Sequence, residues 1–132
     1  MSLEHEELTR QVIGCAYQVY NRLGFGFVES VYEKSLMIAL RKAGLAAASQ
    51  QPIDVFYEGE LVGEFIADIV VEGKVIVELK AVSALVPAHE VQLVNYLVAT
   101  CMTTGLLLNF GAESVEIKRK FRVFKQKQEP QS

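Results

Sequence analysis

Asp68 and Glu78 are carboxylates set in segments that otherwise read as apolar strands, EFIADIVV and KVIVELKA. Strand alternation puts Glu78 and Lys80 on one side with Ile76, while Val75, Val77 and Leu79 face the other way. An acid in a valine-rich strand is costly unless it is paired or holds a cation. Oxygen ligands from Asp68 and Glu78, joined by Glu29 and the Leu79 carbonyl, suit Mg²⁺ or Mn²⁺ better than zinc. An ion so held lowers the pKa of a bound water and offsets charge on a phosphorane, so the set suits phosphodiester hydrolysis. Lys80, two residues beyond Glu78, would orient that water or stabilise the same charge. Gln92 and Tyr96 stand four apart, hence on one helix face, and would hold the scissile strand or brace the ligands.

Whether the two acids meet depends on the loop between their strands. A two-residue loop at Glu72-Gly73 pairs Asp68 with Val77 and sends the acids to opposite faces. A three-residue loop, Val71-Glu72-Gly73, pairs Asp68 with Ile76 and Ile66 with Glu78, with Gly73 at the left-handed loop position. The acids are then diagonal neighbours on one face, roughly 7–8 Å apart at the backbone. The three-residue loop is the expected one.

The elements that must position these groups follow from periodicity and punctuation. Leu8, Val12, Cys15, Ala16, Val19 and Leu23 mark a helix over 6–23, stopped by Gly24 and Gly26. Tyr32, Leu36, Ala39, Leu40 and Ala43 mark a second over 28–43, and Glu29 begins its core-facing stripe. Strands are expected over 52–57, 61–71 and 74–81, then a helix from Pro87 to Cys101, a buried strand over 105–110 and a last strand over 114–124. The order α-α-β-β-β-α-β-β describes an α/β fold: a mixed β-sheet flanked by helices on both faces. Both cysteines, Cys15 and Cys101, are expected as core thiols, and His89 as a capping or solvated residue.

The chain has 132 residues, 51% of them hydrophobic, with 13 basic and 16 acidic side chains. That fits a single domain over 1–132 and excludes a disordered chain or a long repeat array. No apolar run has the length of a transmembrane span and no signal-peptide core opens the chain, so no membrane partner and a cytoplasmic location are expected. The net charge of −3 conceals an asymmetry. Residues 118–127 hold six bases and no acid, whereas residues 1–117 hold seven bases against fifteen acids. A polyanion would therefore be met locally, by Lys118, Lys120 and Arg122 on a basic last strand that leads into a polar tail.

Taken together, these residues resemble a known family. Asp68 followed by Glu78-Leu79-Lys80 resembles the PD-(D/E)XK nuclease signature. Gln92-Leu93-Val94-Asn95-Tyr96 resembles the Q-x-x-x-Y motif of its RecB-type branch. Gly26-Phe27-Val28-Glu29-Ser30-Val31-Tyr32 resembles the GxxExxY proteins of the same superfamily. The resemblance runs from about residue 13 to 110 and departs at Ala67, where the family has proline before the acid. It implies a restriction-endonuclease-like core and a metal-dependent nuclease, with Asp68, Glu78 and Lys80 as the catalytic set. Glu29 carries over as a helix-borne acid, Gln92 and Tyr96 as branch-specific partners. The expected substrate is DNA in preference to RNA, and so small a domain has room to act as a homodimer. Without the resemblance, the same charges fit equally a partly buried ion network in a protein-interaction module. Glu29 equally fits a helix N-terminus favoured by the dipole, and the basic strand fits an edge protected by lysines. A nucleic-acid-binding relative without catalysis is the remaining alternative.

Overall fold

A computed structural model describes residues 5–123. The chain follows the expected order: α1 (Glu6–Leu23), α2 (Glu29–Lys42), β1 (Ala47–Tyr57), β2 (Glu60–Val71), β3 (Val75–Lys80), α3 (Pro87–Thr100), β4 (Thr104–Asn109) and β5 (Glu116–Phe121). The strands form one sheet in the order β1-β2-β3-β4-β5. Only β3 and β4 run parallel, joined by the α3 crossover, and the other neighbours are antiparallel. The end of the expected last strand at Phe124 and the polar tail lie outside the described residues.

Two apolar layers cover the sheet, as the element order requires. On one face Val12, Cys15, Ala16 and Val19 of α1 and Tyr32, Leu36 and Leu40 of α2 pack on Val75, Val77, Leu79, Leu106 and Leu108. On the other face Leu93, Tyr96 and Leu97 of α3 pack on Ile53, Ala67, Ile76 and Leu107. The strands β3 and β4 are buried on both sides and read accordingly as apolar runs, interrupted in β3 by Glu78 and Lys80. Among the described residues no helix is long and apolar enough to cross a membrane.

Two expectations change. The first strand begins at Ala47, five residues before the expected start at Pro52. Ala47, Ala48 and Ser49 have little strand propensity, but pairing with Val71, Val70 and Ile69 recruits them. Pro52 is tolerated because β1 is an edge of the sheet. Cys101 is not a core thiol. It is exposed and caps α3 in a left-handed conformation (φ 58°), whereas Cys15 is buried as expected.

The connection that leaves β3 is fixed tightly. The Asn109 side chain donates to the Val82 carbonyl (2.9 Å) and to Glu116 (2.7 Å) and accepts from the Val82 and Gly111 amides. A side chain at Gly111 would come within 2.4 Å of the Val82 backbone, so the turn after β4 and the exit of β3 can touch only with glycine there. His89 accepts a hydrogen bond from the Val86 amide and so caps α3.

Candidate active site

The loop between β2 and β3 decides the geometry, and its register differs from the expected one by one residue on each strand. Val71 pairs with Val75, Val70 with Ile76 and Ile69 with Val77. The three loop residues are therefore Glu72, Gly73 and Lys74, with Glu72 and Gly73 both at positive φ and the Lys74 amide bonded to the Val71 carbonyl. This register buries Val71 and Val75 together and leaves Lys74 in solvent, whereas the expected one would have held Lys74 in the ladder. The parity is preserved, so both acids converge. They are directly opposed instead of diagonal.

At Asp68 and Glu78 the ordinary ladder gives way to a reciprocal clasp. The Asp68 amide donates to Glu78 Oε2 at 2.7 Å, and the Leu79 amide donates to Asp68 Oδ2 at 2.8 Å. Each carboxylate thus occupies the space between the strands and is held by backbone of the opposite strand. Glu78 is only 5% exposed. Burial, and then the negative charge of Asp68, push its carboxyl up to about 8. Like charges placed opposite one another across strands destabilise a sheet. Glu78 therefore keeps its proton near neutral pH, and a positive charge between the strands would favour its ionised form.

The same point reverses the facing of β1 and β2. Ile69 and Val71 pack under α1 and α2, yet Ala67, of the same parity, packs under α3. On β1, Ala47 belongs to the first layer and Ile53 to the second, although both are odd-numbered. The reversal occurs at Gln50 and Asp68, which face each other in the register between Ser49↔Ile69 and Gln51↔Ala67. Gln50 achieves it with a left-handed backbone (φ 53°), a costly conformation for a side chain with a Cβ.

Around the pair stand the other predicted residues. Lys80, half-buried two residues beyond Glu78, is close enough for its positive charge to act on both Glu78 and Glu29. Glu29 opens α2, and its carboxyl is raised by burial and then by Asp68, which places it on the site side of the helix. Tyr96 is buried, and its hydroxyl is raised by burial, then by Glu78 and Asp68; Gln92, one turn away, is exposed. Among the described residues no three His, Cys, Asp or Glu side chains stand close enough to form a ready metal cage, so Glu29 is a neighbour of the pair without completing one. Tyr32 does structural work: its hydroxyl donates to the Gly24 carbonyl and its ring stacks on Phe110 at 4.8 Å, fixing the turn that launches Glu29.

The basic strand divides. Cross-strand pairing puts Glu78, Leu107 and Lys118 in one row on the α3 face. Lys118 is exposed there, but Lys120 forms an ion pair with Glu90 of α3. Arg122 lies just past β5, its amide bonded to the Thr103 carbonyl. The strand is a sheet edge, as the edge-protection reading requires.

Two residues escaped the sequence reading. Glu33, one turn beyond Glu29, is half-buried, raised by burial and close enough to feel Asp68; its carboxylate accepts two hydrogen bonds of 3.0 Å from the Gln50 amide. The i, i+4 spacing from Glu29 was a usable signal for Glu33. Nothing in its residue type marks Gln50.

The sequence model of a family described as the PD-(D/E)XK nuclease superfamily matches residues 6–120. Among solved structures the chain is similar to one described as the crystal structure of SSO0001, with a TM-score of 0.58 and 16% identity over 92% of this chain. The match takes in 61% of that protein's length. The curated proteins give no match.

Proposed function

Since the chain belongs to the PD-(D/E)XK nuclease superfamily, we propose that it is a divalent-metal-dependent nuclease that hydrolyses phosphodiester bonds at Asp68 and Glu78, in DNA in preference to RNA. The observation that carries this reading is the directly opposed carboxylate pair, Glu78 buried and Asp68 half-buried. Such a pair accumulates negative charge in a place that only a cation or a proton can relieve.

The donor set fits Mg²⁺ or Mn²⁺. Both side chains are hard oxygen donors. Leu79 adds a third: its amide points to Asp68, and in a strand the carbonyl of a residue points the same way as its amide. Asp68, Glu78 and the Leu79 carbonyl would hold the ion, with Glu29 nearby on α2. Such an ion supplies an acidified water and compensation for charge on the phosphoryl oxygens.

The chain's own groups take the remaining roles. The clasp between the strands holds each carboxylate in place, so little reorganisation precedes binding. Lys80 faces the same side as Glu78 and would hold the attacking water or balance charge on the phosphate. Gln92 and Tyr96 would position the strand from the α3 side, and Lys118, at the exposed end of the Glu78 row, would take a phosphate farther along. Lys120 and Arg122 would extend that contact, Lys120 by exchanging Glu90 for phosphate. A cytoplasmic location and a homodimer complete the reading.

The test is cleavage of labelled single- and double-stranded oligonucleotides in Mg²⁺ and Mn²⁺ by the wild type, Glu78→Ala and Lys80→Ala. Wild-type cleavage that falls at least a hundredfold in both variants and stops on chelation is expected. Salt-sensitive binding with no cleavage by the wild type would assign the chain instead to a binding relative of the same fold.

A further inference from the structure

Beyond Gln50 and Asp68 the outer half of the β1–β2 hairpin lies over α3, and the two enclose an open groove of about 710 Å³. Phe65 and Val55 form one wall, and Val91, Asn95 and Tyr96 of α3 form the other. No charged side chain lines it among the described residues. Phe65 and Tyr96 stand 5.9 Å apart with their rings tilted by 45°, and Phe65 remains 47% exposed. Val91 and Asn95 are exposed as well. These apolar groups are not consumed by packing.

Three observations identify an occupant. Tyr96, which lines the groove, belongs to the same buried cluster as Ala67 and Ile76, the strand neighbours of Asp68 and Glu78, so the groove lies beside the carboxylate pair. Its walls offer an aromatic face and an amide, the two groups that hold a nucleobase by stacking and by its hydrogen-bonding edge. Its lack of charge suits a base and not a phosphate, and the exposed Lys118 lies outside it on the same face of the sheet. A base inside a duplex keeps both faces stacked and cannot enter; an unpaired one can.

We propose that this groove binds an unpaired nucleobase beside the scissile phosphate, stacked on Phe65 with the Asn95 amide at its edge. The chain therefore selects single-stranded or unpaired segments over continuous duplex. The position of the scissile phosphate rests on the nuclease reading above, but the preference for unpaired bases is measurable without cleavage.

The experiment is equilibrium binding in chelator, so that nothing is cut. It compares a fluorescent single strand, the same strand in a duplex, and a strand with abasic sites, using the wild type, Phe65→Ala and Phe65→Tyr. Phe65 is half exposed, so both variants should fold, and circular dichroism checks that they do. The wild type should prefer the single strand. Phe65→Ala should weaken that binding about tenfold or more, leave duplex and abasic binding unchanged, and be rescued by Phe65→Tyr. Equal losses on all three ligands, or no loss on any, would overturn the proposal. So would a wild-type dimer in sedimentation equilibrium that Phe65→Ala dissolves, since the groove would then be a protein interface. Selective stacking without cleavage in any metal would sink the nuclease reading and leave the groove standing; cleavage without selective stacking would do the reverse.

Discussion

At the scale of residues, the decisive fact is that Glu78 is buried opposite another acid. Its carboxyl is raised to about 8 in the folded chain, against an ordinary value near 4.5 in the unfolded one. Between those values the folded state holds a proton that the unfolded state has released, so stability falls as pH rises through that window. Thermal unfolding followed from pH 5 to pH 8 should show the wild type losing stability relative to Glu78→Gln, which has no carboxyl to ionise. A constant difference between the two across that range would contradict the assigned shift. The acids and the lysine were legible in the sequence because each interrupts an apolar strand. Glu33 was legible only as a neighbour of Glu29. Gln50 was not, because the left-handed backbone it adopts is imposed by the strand reversal opposite Asp68 and not by its own preference.

At the scale of elements, periodicity located all three helices because their buried stripes recur at helical spacing. It missed the first five residues of β1, whose strand character comes from a partner distant in sequence. It missed the exact hairpin register because the parity of a loop is readable from its glycine, whereas a shift of one residue on each strand depends on which valines are buried together. Two substitutions probe the element ends. Cys101→Gly removes a side chain from a left-handed helix cap and should stabilise the protein by about 0.5–1 kcal/mol in urea unfolding. Gly111→Ala drives a methyl group into the Val82 backbone and should destabilise it by about 1–3 kcal/mol or more. Because Val82 follows Lys80 by two residues, the same change should also depress cleavage.

At the scale of the whole molecule, charge and function are arranged in opposition. A chain of net charge −3 concentrates acids at the strand gap and bases along its last strand, so attraction of a polyanion is local. Lys118→Ala should therefore weaken nucleic-acid binding on every sequence alike and reduce the slope of log affinity against log salt by about 0.7–0.9. The sheet order places that strand two positions from β3, with α3 across the row between them. The fold thus puts the exposed Lys118, an apolar groove and a carboxylate pair on one side of the sheet. The nuclease reading depends on the pair being a cation site. The most direct measurement is a Mn²⁺ titration of the protein without nucleic acid at pH 8, followed by electron paramagnetic resonance, for the wild type, Asp68→Asn and Glu78→Gln. Saturable binding by the wild type that is lost in both variants is the predicted result. Mn²⁺ binding that is absent in the wild type, or retained undiminished by both variants, would contradict it.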